Sequence, residues 1–364
     1  MDAERSNLDA ARGRFLDRLI AELQHRLPSE QAESVARFAS SYYRTVPLDE
    51  VEHRSLDSLY SATLSCWQFV RQRTTAHKIR VFNPDLEQYG WQSPHTVIEV
   101  LTEDRPFLVD SVRMVLGGRG LSIHSVINAV FRIERDQAGD LKRFWPSGDT
   151  SPLEPGGAPA PQEAVLYLEI DRISDAEPLA GVAAALRSTL NDCAAVVADF
   201  GAMRAAALEL AVAVDGDDEQ HQEAKRLVEW LCDDHFTFLG YDELQVASSE
   251  SGLKLTPVSK ASLGLLRGRE LHDLAATLPS DSRLAGFLQE PEPIGFAIAG
   301  NRSSVHRPAF PDYVLVRVRD TEGRLVRLHR LLGLYGSNVY LENPYSIPWI
   351  RTKLQRILAD SGFS

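Results

Sequence analysis

Cysteine is scarce in this 364-residue sequence: Cys66, Cys193 and Cys232 stand far apart and form no CxxC pair. That spacing argues against a disulfide framework and a zinc site, and it fits a reducing cytosol. Positive charge is also short. The 39 Lys and Arg face 51 Asp and Glu, for a formal net charge of −12, and the basic residues are scattered rather than striped. Nucleic acid and anionic membranes are therefore not expected as partners. No apolar run reaches the ~18–20 residues of a membrane span. The polar start MDAERSNLDAARGRF is unlike a secretory signal, so the expected location is cytoplasmic.

Catalytic signatures are missing too. No strand leads into G-x-G-x-x-G with an acid about twenty residues on. Gly117-Gly118-Arg119-Gly120 follows a helical pattern and reads as a helix stop. There is no P-loop, HExxH, GxSxG elbow or kinase set. Cys193 and Cys232 sit in apolar or acidic sequence, which raises a thiol's pKa and disfavours a nucleophile. Asp233-Asp234 reads as a solvated turn, with His235 a turn residue beside it. The few lysines lie in no glycine-rich pocket. No catalytic residue, cofactor site or metal ligand is expected in this chain.

What is present organises around His95–Arg135. Thr96–Leu101 is β-branched and apolar, as suits a strand. Asp104-Arg105-Pro106 punctuates it, with Asp104 the expected N-cap and Pro106 near the first helical position. Leu108, Val112, Val115 and Leu116 share one helical face. The glycines stop that helix, and Leu121–Ile133 returns as a long strand. Glu163–Asp171 is a further strand, and Pro178–Leu190 has helical periodicity. Cys193–Val197 reads either as a short last strand or as more helix. The expected fold class is α+β and multidomain, with a ferredoxin-like βαββαβ domain over 93–203.

Ahead of it, residues 1–92 read as a helical segment. Phe15, Leu19 and Leu23 stripe the first helix up to Pro28, Val35, Phe38 and Tyr42 the second, and Leu59, Trp67 and Val70 the third. The Pro-, Gly- and Ser-rich stretch 139–162 reads as a mobile loop. Residues 204–235 read as a helical connector. Over 236–341 the expected strands are Thr237–Val246, Lys254–Val258, Gly295–Ala299, Asp312–Val318 and Leu325–Leu334, with short helices at Leu263–Arg267, Leu271–Leu278 and Ser282–Leu288. Asp320–Gly323 is a hairpin turn. Strands, then helices, then three closing strands is a PAS-like order. Residues 342–364 read as a connecting helix over Ser346–Ile357.

The strings TEDRPFLVDSV…GLSIHSVINAV, WLCDDHFTFLGYDEL and SVHRPAFPDYVLVRVRDTEGRLVRLHRLLGLYGSNVY resemble, in that order, the amino-terminal region of the large bacterial NAD-specific glutamate dehydrogenases. The first also resembles an ACT domain, the small-molecule-sensing module of amino-acid metabolism. Most ACT domains carry glycine after the turn proline; Phe107 stands there, as in the large-dehydrogenase pattern. The resemblance implies a regulatory and oligomer-forming region, NAD as cofactor of the full-length family only, and a small amino-acid effector. Asp104 and Arg105 would take its amino and carboxylate groups, with helix N–H groups near Phe107 and Asp110. His124 and Asn128, from the neighbouring strand or a partner copy, would add polar contacts. Self-association and the remaining domains of the same enzyme are the expected partners. A stand-alone ACT/PAS-type sensor or adaptor, and a structural module pairing through a sheet edge, are the alternatives.

Overall fold

A computed structural model of the protein describes residues 2–44, 46, 50–51, 54–145, 161–214, 216, 218–249, 252–258, 261–268, 277–278 and 282–361. They divide into two units, Met1–Leu190 and Asn191–Ser364.

The first unit opens with α1 (Asp2–Arg26), α2 (Ser29–Tyr42) and α3 (Leu56–Val70), with Pro28 separating the first two. Ser55 caps α3 by accepting the Ser58 N–H at 3.2 Å. Then come β1 (His77–Phe82), the short α4 (Leu86–Tyr89), β2 (Thr96–Glu103), α5 (Leu108–Gly118), β3 (Ile123–Arg135), β4 (Leu141–Trp145) and β5 (Gln162–Ile170). Helix α6 (Ala176–Ala213) runs on into the second unit.

The antiparallel sheet has the order β1-β2-β5-β3-β4. Alternation along each strand feeds two cores. Ile98, Val100, Leu166 and Leu168 pack with Leu108, Val112, Leu116, Val182 and Leu186 of α5 and α6. Val97, Leu101, Phe131, Val165 and Tyr167 pack with Phe15, Leu19, Phe38 and Trp67 of the first three helices. The sheet is thus the middle of three layers, and β2 is buried along all but its last residue. Each fully buried side chain such as Phe38 or Phe131 contributes roughly 1.5–3 kcal/mol.

The βαββα core is as read, but its last strand is not. Cys193–Val197 lies inside α6, so no strand follows that helix in the first unit. The place beside β2 is taken by β1, which comes before β2 in the chain. A further correction concerns the stretch after β3. Leu141–Trp145 pairs with β3 rather than belonging to the loop, while residues 146–160 of the expected loop lie outside the described residues.

In the second unit, α7 (Glu219–Trp230) passes through a tight turn, Leu231–His235, directly into β6 (Phe236–Ser249). Asp234 holds φ +57° there, so the acidic pair does form the turn. After β7 (Gly252–Pro257) follow β8 (Leu263–Gly264), β9 (Thr277–Leu278), α8 (Arg283–Gln289), β10 (Ile294–Ile298), β11 (Asp312–Arg319) and β12 (Leu325–Tyr335). The sheet order is β10-β11-β12-β6-β7-β9, with β8 against β6. Asp320 ties the β11–β12 hairpin by accepting the N–H groups of Glu322 at 3.0 Å and Arg324 at 2.9 Å.

Leu263–Arg267 is not the expected helix. Gly264 sits at φ +59° and gives its N–H to Asp199 at 2.8 Å, and a Cβ there would lie 2.3 Å from the Leu239 carbonyl oxygen. Of the expected helix Leu271–Leu278, residues 271–276 lie outside the described residues, and Thr277–Leu278 is a strand. The terminal helix α9 (Ile350–Ser361) starts four residues later than expected, after a turn whose Trp349 holds φ +68°.

Candidate functional site

The β2–α5 turn is built differently from its sequence reading. Asp104 does not cap the helix. Its backbone N–H reaches the Gln162 carbonyl at 2.9 Å, and the cap position is Phe107, at φ +67° with no side-chain cap. A residue before proline is pushed away from helical geometry, so Arg105 stays extended in character and the helix starts beyond Phe107. An aromatic residue in the left-handed region is strained, which marks a tightly determined turn. Arg105 folds back onto its own strand, Nη2 to the Glu103 carboxylate at 2.9 Å. Asp110 is exposed in the first helical turn, where negative charge suits the helix dipole.

His124 and Asn128 are exposed and lie elsewhere on the sheet. Thr96 pairs with Ile170 and, through it, Ile123, whereas Glu103 pairs with Glu163 and, through it, Phe131. His124 therefore sits near the start of β2 and Asp104 just past its end, about 25 Å apart at ~3.3 Å per residue. Asn128 is opposite Leu166 in mid-sheet. One copy of the chain brings Asp104, Arg105, Phe107 and Asp110 together and leaves His124 and Asn128 away from them.

His77 borders the turn. Its ring Nδ1 lies 2.7 Å from the Thr102 hydroxyl and its pKa is lowered from 6.5 to about 4, by burial first and then by Arg105, Arg187 and Arg73. The folded state thus holds His77 neutral where the unfolded chain would already be protonated. Its contribution to stability is complete above pH 6.5 and is lost as pH falls towards 4. Chemical denaturation across that window should show a smaller acid-side loss for His77→Gln than for the parent.

The opposite end of the sheet carries a polar cluster that the sequence reading missed. His95 and His124 stack with ring centroids 4.1 Å apart and planes 15° from parallel. His124 Nε2 is 2.8 Å from Asp171, which also accepts the Ser122 N–H at 2.8 Å. These bonds, the Ser122 N–H first, hold the Asp171 carboxyl at about 2. His95 Nδ1 is 3.1 Å from Glu169, which accepts the Tyr167 hydroxyl at 2.5 Å and pairs with Arg54. Burial raises the Glu169 carboxyl, but Arg54, Tyr167 and His95 together outweigh it and leave it below its ordinary value. The available signal was EAVLYLEID: period two puts Glu163, Val165, Tyr167 and Glu169 on one face, and carboxylates in a buried row demand cationic partners.

That demand is met three times on the helix-facing side. Glu163 takes Arg73 and Arg135, Glu99 takes Arg80, and Glu169 takes Arg54, with the three carboxylates 1–5% exposed. Arg54 and Arg73 flank α3, so these pairs fasten the helical layer to the sheet. In the second unit, Asp242 and Arg330 form a buried bidentate pair at 2.8 and 2.5 Å, and the Tyr241 hydroxyl lies 2.9 Å from His329. His235 stacks on Trp230 and reaches Glu342 at 2.8 Å, a satisfied turn residue. Among the described residues, no group of three or more His, Cys, Asp or Glu is placed to hold a metal ion, and no helix is long and apolar enough to cross a membrane.

Residues 38–186 match the family model described as "Glutamate dehydrogenase, ACT1 domain". Over 98% of its length the chain is 38% identical to an NAD-specific glutamate dehydrogenase of Halomonas elongata, of which it covers 22%. Over 97% it is 38% identical to the NAD-specific glutamate dehydrogenase of Pseudomonas aeruginosa, again covering 22%. The enzyme of that name from Mycobacterium tuberculosis is 26% identical over 72% of the chain, with 15% of it covered. The chain spans about a fifth of the length of the first two of these relatives.

Proposed function

We propose that this chain, whose residues 38–186 match the family model of the glutamate dehydrogenase ACT1 domain, is the regulatory and assembly region of a large NAD-dependent glutamate dehydrogenase. The whole enzyme would convert L-glutamate, NAD and water to 2-oxoglutarate, ammonia and NADH. This region would sense a small amino acid and leave hydride transfer to the rest of the protein. The observation that carries the reading is the breadth of the likeness: nearly all of this chain aligns with about a fifth of each of two such enzymes.

The ACT reading draws support from the βαββα core with an antiparallel strand in the fourth position. The PAS reading draws support from the second sheet, in which the first strand lies between the second and the last, β7-β6-β12. An assembly role is favoured by β10, an edge strand among the described residues, where Phe296 is 39% and Ile298 70% exposed on the same side. Unpaired edges of this kind recruit further strands. The six residues implied by the ACT resemblance do not meet within one copy, so an effector held by all of them would need two copies.

Absorbance at 340 nm tests the division of labour. The purified chain with L-glutamate and NAD should form no NADH above the uncatalysed background. Turnover by this chain alone would overturn the proposal.

A further inference from the structure

We propose that two copies of this chain pair through β10, an edge strand among the described residues, antiparallel and about a two-fold axis at Ala297, so that their second sheets join into one. The inference rests on the assembly reading and gives it a partner, a register and a surface in the second unit.

Backbone geometry fixes which groups are on offer. In an antiparallel pair, alternate residues turn their N–H and C=O groups towards the neighbouring strand. The Arg317 N–H reaches the Pro293 carbonyl at 2.8 Å, and the Ala299 N–H reaches the Pro311 carbonyl at 2.8 Å. Residues 293, 295, 297 and 299 therefore face β11, and Ile294, Phe296 and Ile298 present their groups to the edge. The Ile294 carbonyl already accepts Arg317 Nη1 at 3.0 Å. That leaves Phe296 and Ile298, whose outward groups no neighbouring strand takes among the described residues. An axis at Ala297 sets Phe296 of each copy opposite Ile298 of the other. Every outward N–H of these two residues then meets an outward C=O of the second copy.

The side chains fit the same register. Ile294–Ile298 holds no charge and no proline, the residues that ordinarily guard a sheet edge. Phe296 and Ile298 lie on one side of the strand, 39% and 70% exposed. Paired as proposed, each Phe296 ring covers an Ile298 of the other copy, and aromatic–β-branched pairs are among the stabilising cross-strand contacts. Gly295 and Ala297 point to the opposite side and are small. Ala297 meets its own copy at the narrow position, where Cα atoms approach to about 4.5 Å. Charge agrees with the direction of pairing. Glu292 precedes β10 and Arg302 follows it, so an antiparallel pair centred on Ala297 carries each Glu292 towards an Arg302 of the other copy. A parallel pair would set like charges side by side. Arg302 is exposed, gives one N–H to the Pro308 carbonyl at 3.0 Å and lies over the Phe310 ring. A guanidinium in that position has further donors for a carboxylate. Each contact in this arrangement occurs twice, as a closed two-fold interface requires.

Sedimentation velocity of the chain from micromolar to millimolar concentration, together with cysteine trapping, tests this. The chain should pass from monomer to dimer as concentration rises. Ile298→Lys, which changes an exposed side chain and leaves the fold intact by circular dichroism, should raise the dissociation constant about tenfold or more. Arg302→Glu should weaken the dimer severalfold, and Glu292→Arg added to it should restore the dimer. Under mild oxidation Ala297→Cys should give a disulfide-linked dimer, because its Cα lies within disulfide reach of its copy. Phe296→Cys lies about 9 Å from its copy in this register and should not. The native cysteines Cys66, Cys193 and Cys232 are buried and leave the trap clean. Dimers that persist in Ile298→Lys and yield no Ala297→Cys product would overturn this interface while leaving the assembly reading intact. Trapping of Phe296→Cys in place of Ala297→Cys would overturn the register. A chain that stays monomeric at every concentration, with no trapped dimer, would overturn the interface and the assembly reading together.

Discussion

Glu163→Ala should destabilise the first unit by about 3–5 kcal/mol in urea denaturation, the cost typical of stripping one partner from a buried ion pair. Glu163 is 2% exposed and accepts four N–H groups: Arg73 Nε at 3.1 Å and Nη2 at 2.9 Å, and Arg135 Nε at 2.9 Å and Nη2 at 2.7 Å. Removing it leaves two guanidinium groups facing each other where water reaches poorly. Arg135 cannot turn away, because Val70 and Gly139 carbonyls hold it at 3.0 Å each. The loss comes from the orphaned charge and not from any large net gain of the pair itself. Glu163→Leu combined with Arg135→Leu should therefore recover most of the stability, leaving the more exposed Arg73 to reach water. If the double variant is as weak as Glu163→Ala, the charge argument fails and packing alone holds the layers together.

Arg80→Met should cost a similar amount at pH 8 and clearly less at pH 5. Glu99 is 1% exposed, and burial raises its carboxyl above the ordinary value despite the attraction of Arg80. One of its oxygens takes Arg80 Nε at 2.7 Å; the other is buried and has no hydrogen-bond partner among the described residues. Without Arg80, burial acts unopposed and the carboxyl rises further. A carboxyl whose folded pKa exceeds its unfolded one binds more protons in the folded state between the two values. Stability accordingly falls as pH rises through that window. The Arg80→Met variant should show this slope more steeply than the parent, and adding Glu99→Gln should flatten it. A pH-independent loss would place the contribution of Arg80 in its stacking over Phe82, whose ring centre is 4.4 Å from the guanidinium carbon, and not in its charge.

These pairs also lie beyond what local sequence pattern specifies. Periodicity was enough to place the three stripes of the helical layer, the β2–α5–β3 unit and five strands of the second sheet, because each is a local pattern with its own turn chemistry. Pairing partners are not local. Nothing in Lys78–Phe82 says that it will fill the sheet position left by a strand that α6 never releases. The turn after β2 misled for a sharper reason. Asp104, two residues before Pro106, looks like a cap, yet the proline keeps Arg105 out of helical geometry, and the strained residue is Phe107 rather than a glycine that would have announced itself. His95 and His124 are 29 positions apart and meet only because β5 lies between their strands. The carboxylate row on β5 was visible, but which arginines answer it depends on where the loops around α3 return.

Sensing of a small amino acid is the role proposed for this chain. Differential scanning calorimetry of the purified chain, with each of the twenty amino acids at millimolar concentration, tests it most directly. A ligand at about 100 times its Kd adds ~2.7 kcal/mol to the folded state, so at least one amino acid should raise the midpoint by several degrees. A melting profile unchanged by all twenty would contradict the claim and leave assembly as the role of this region.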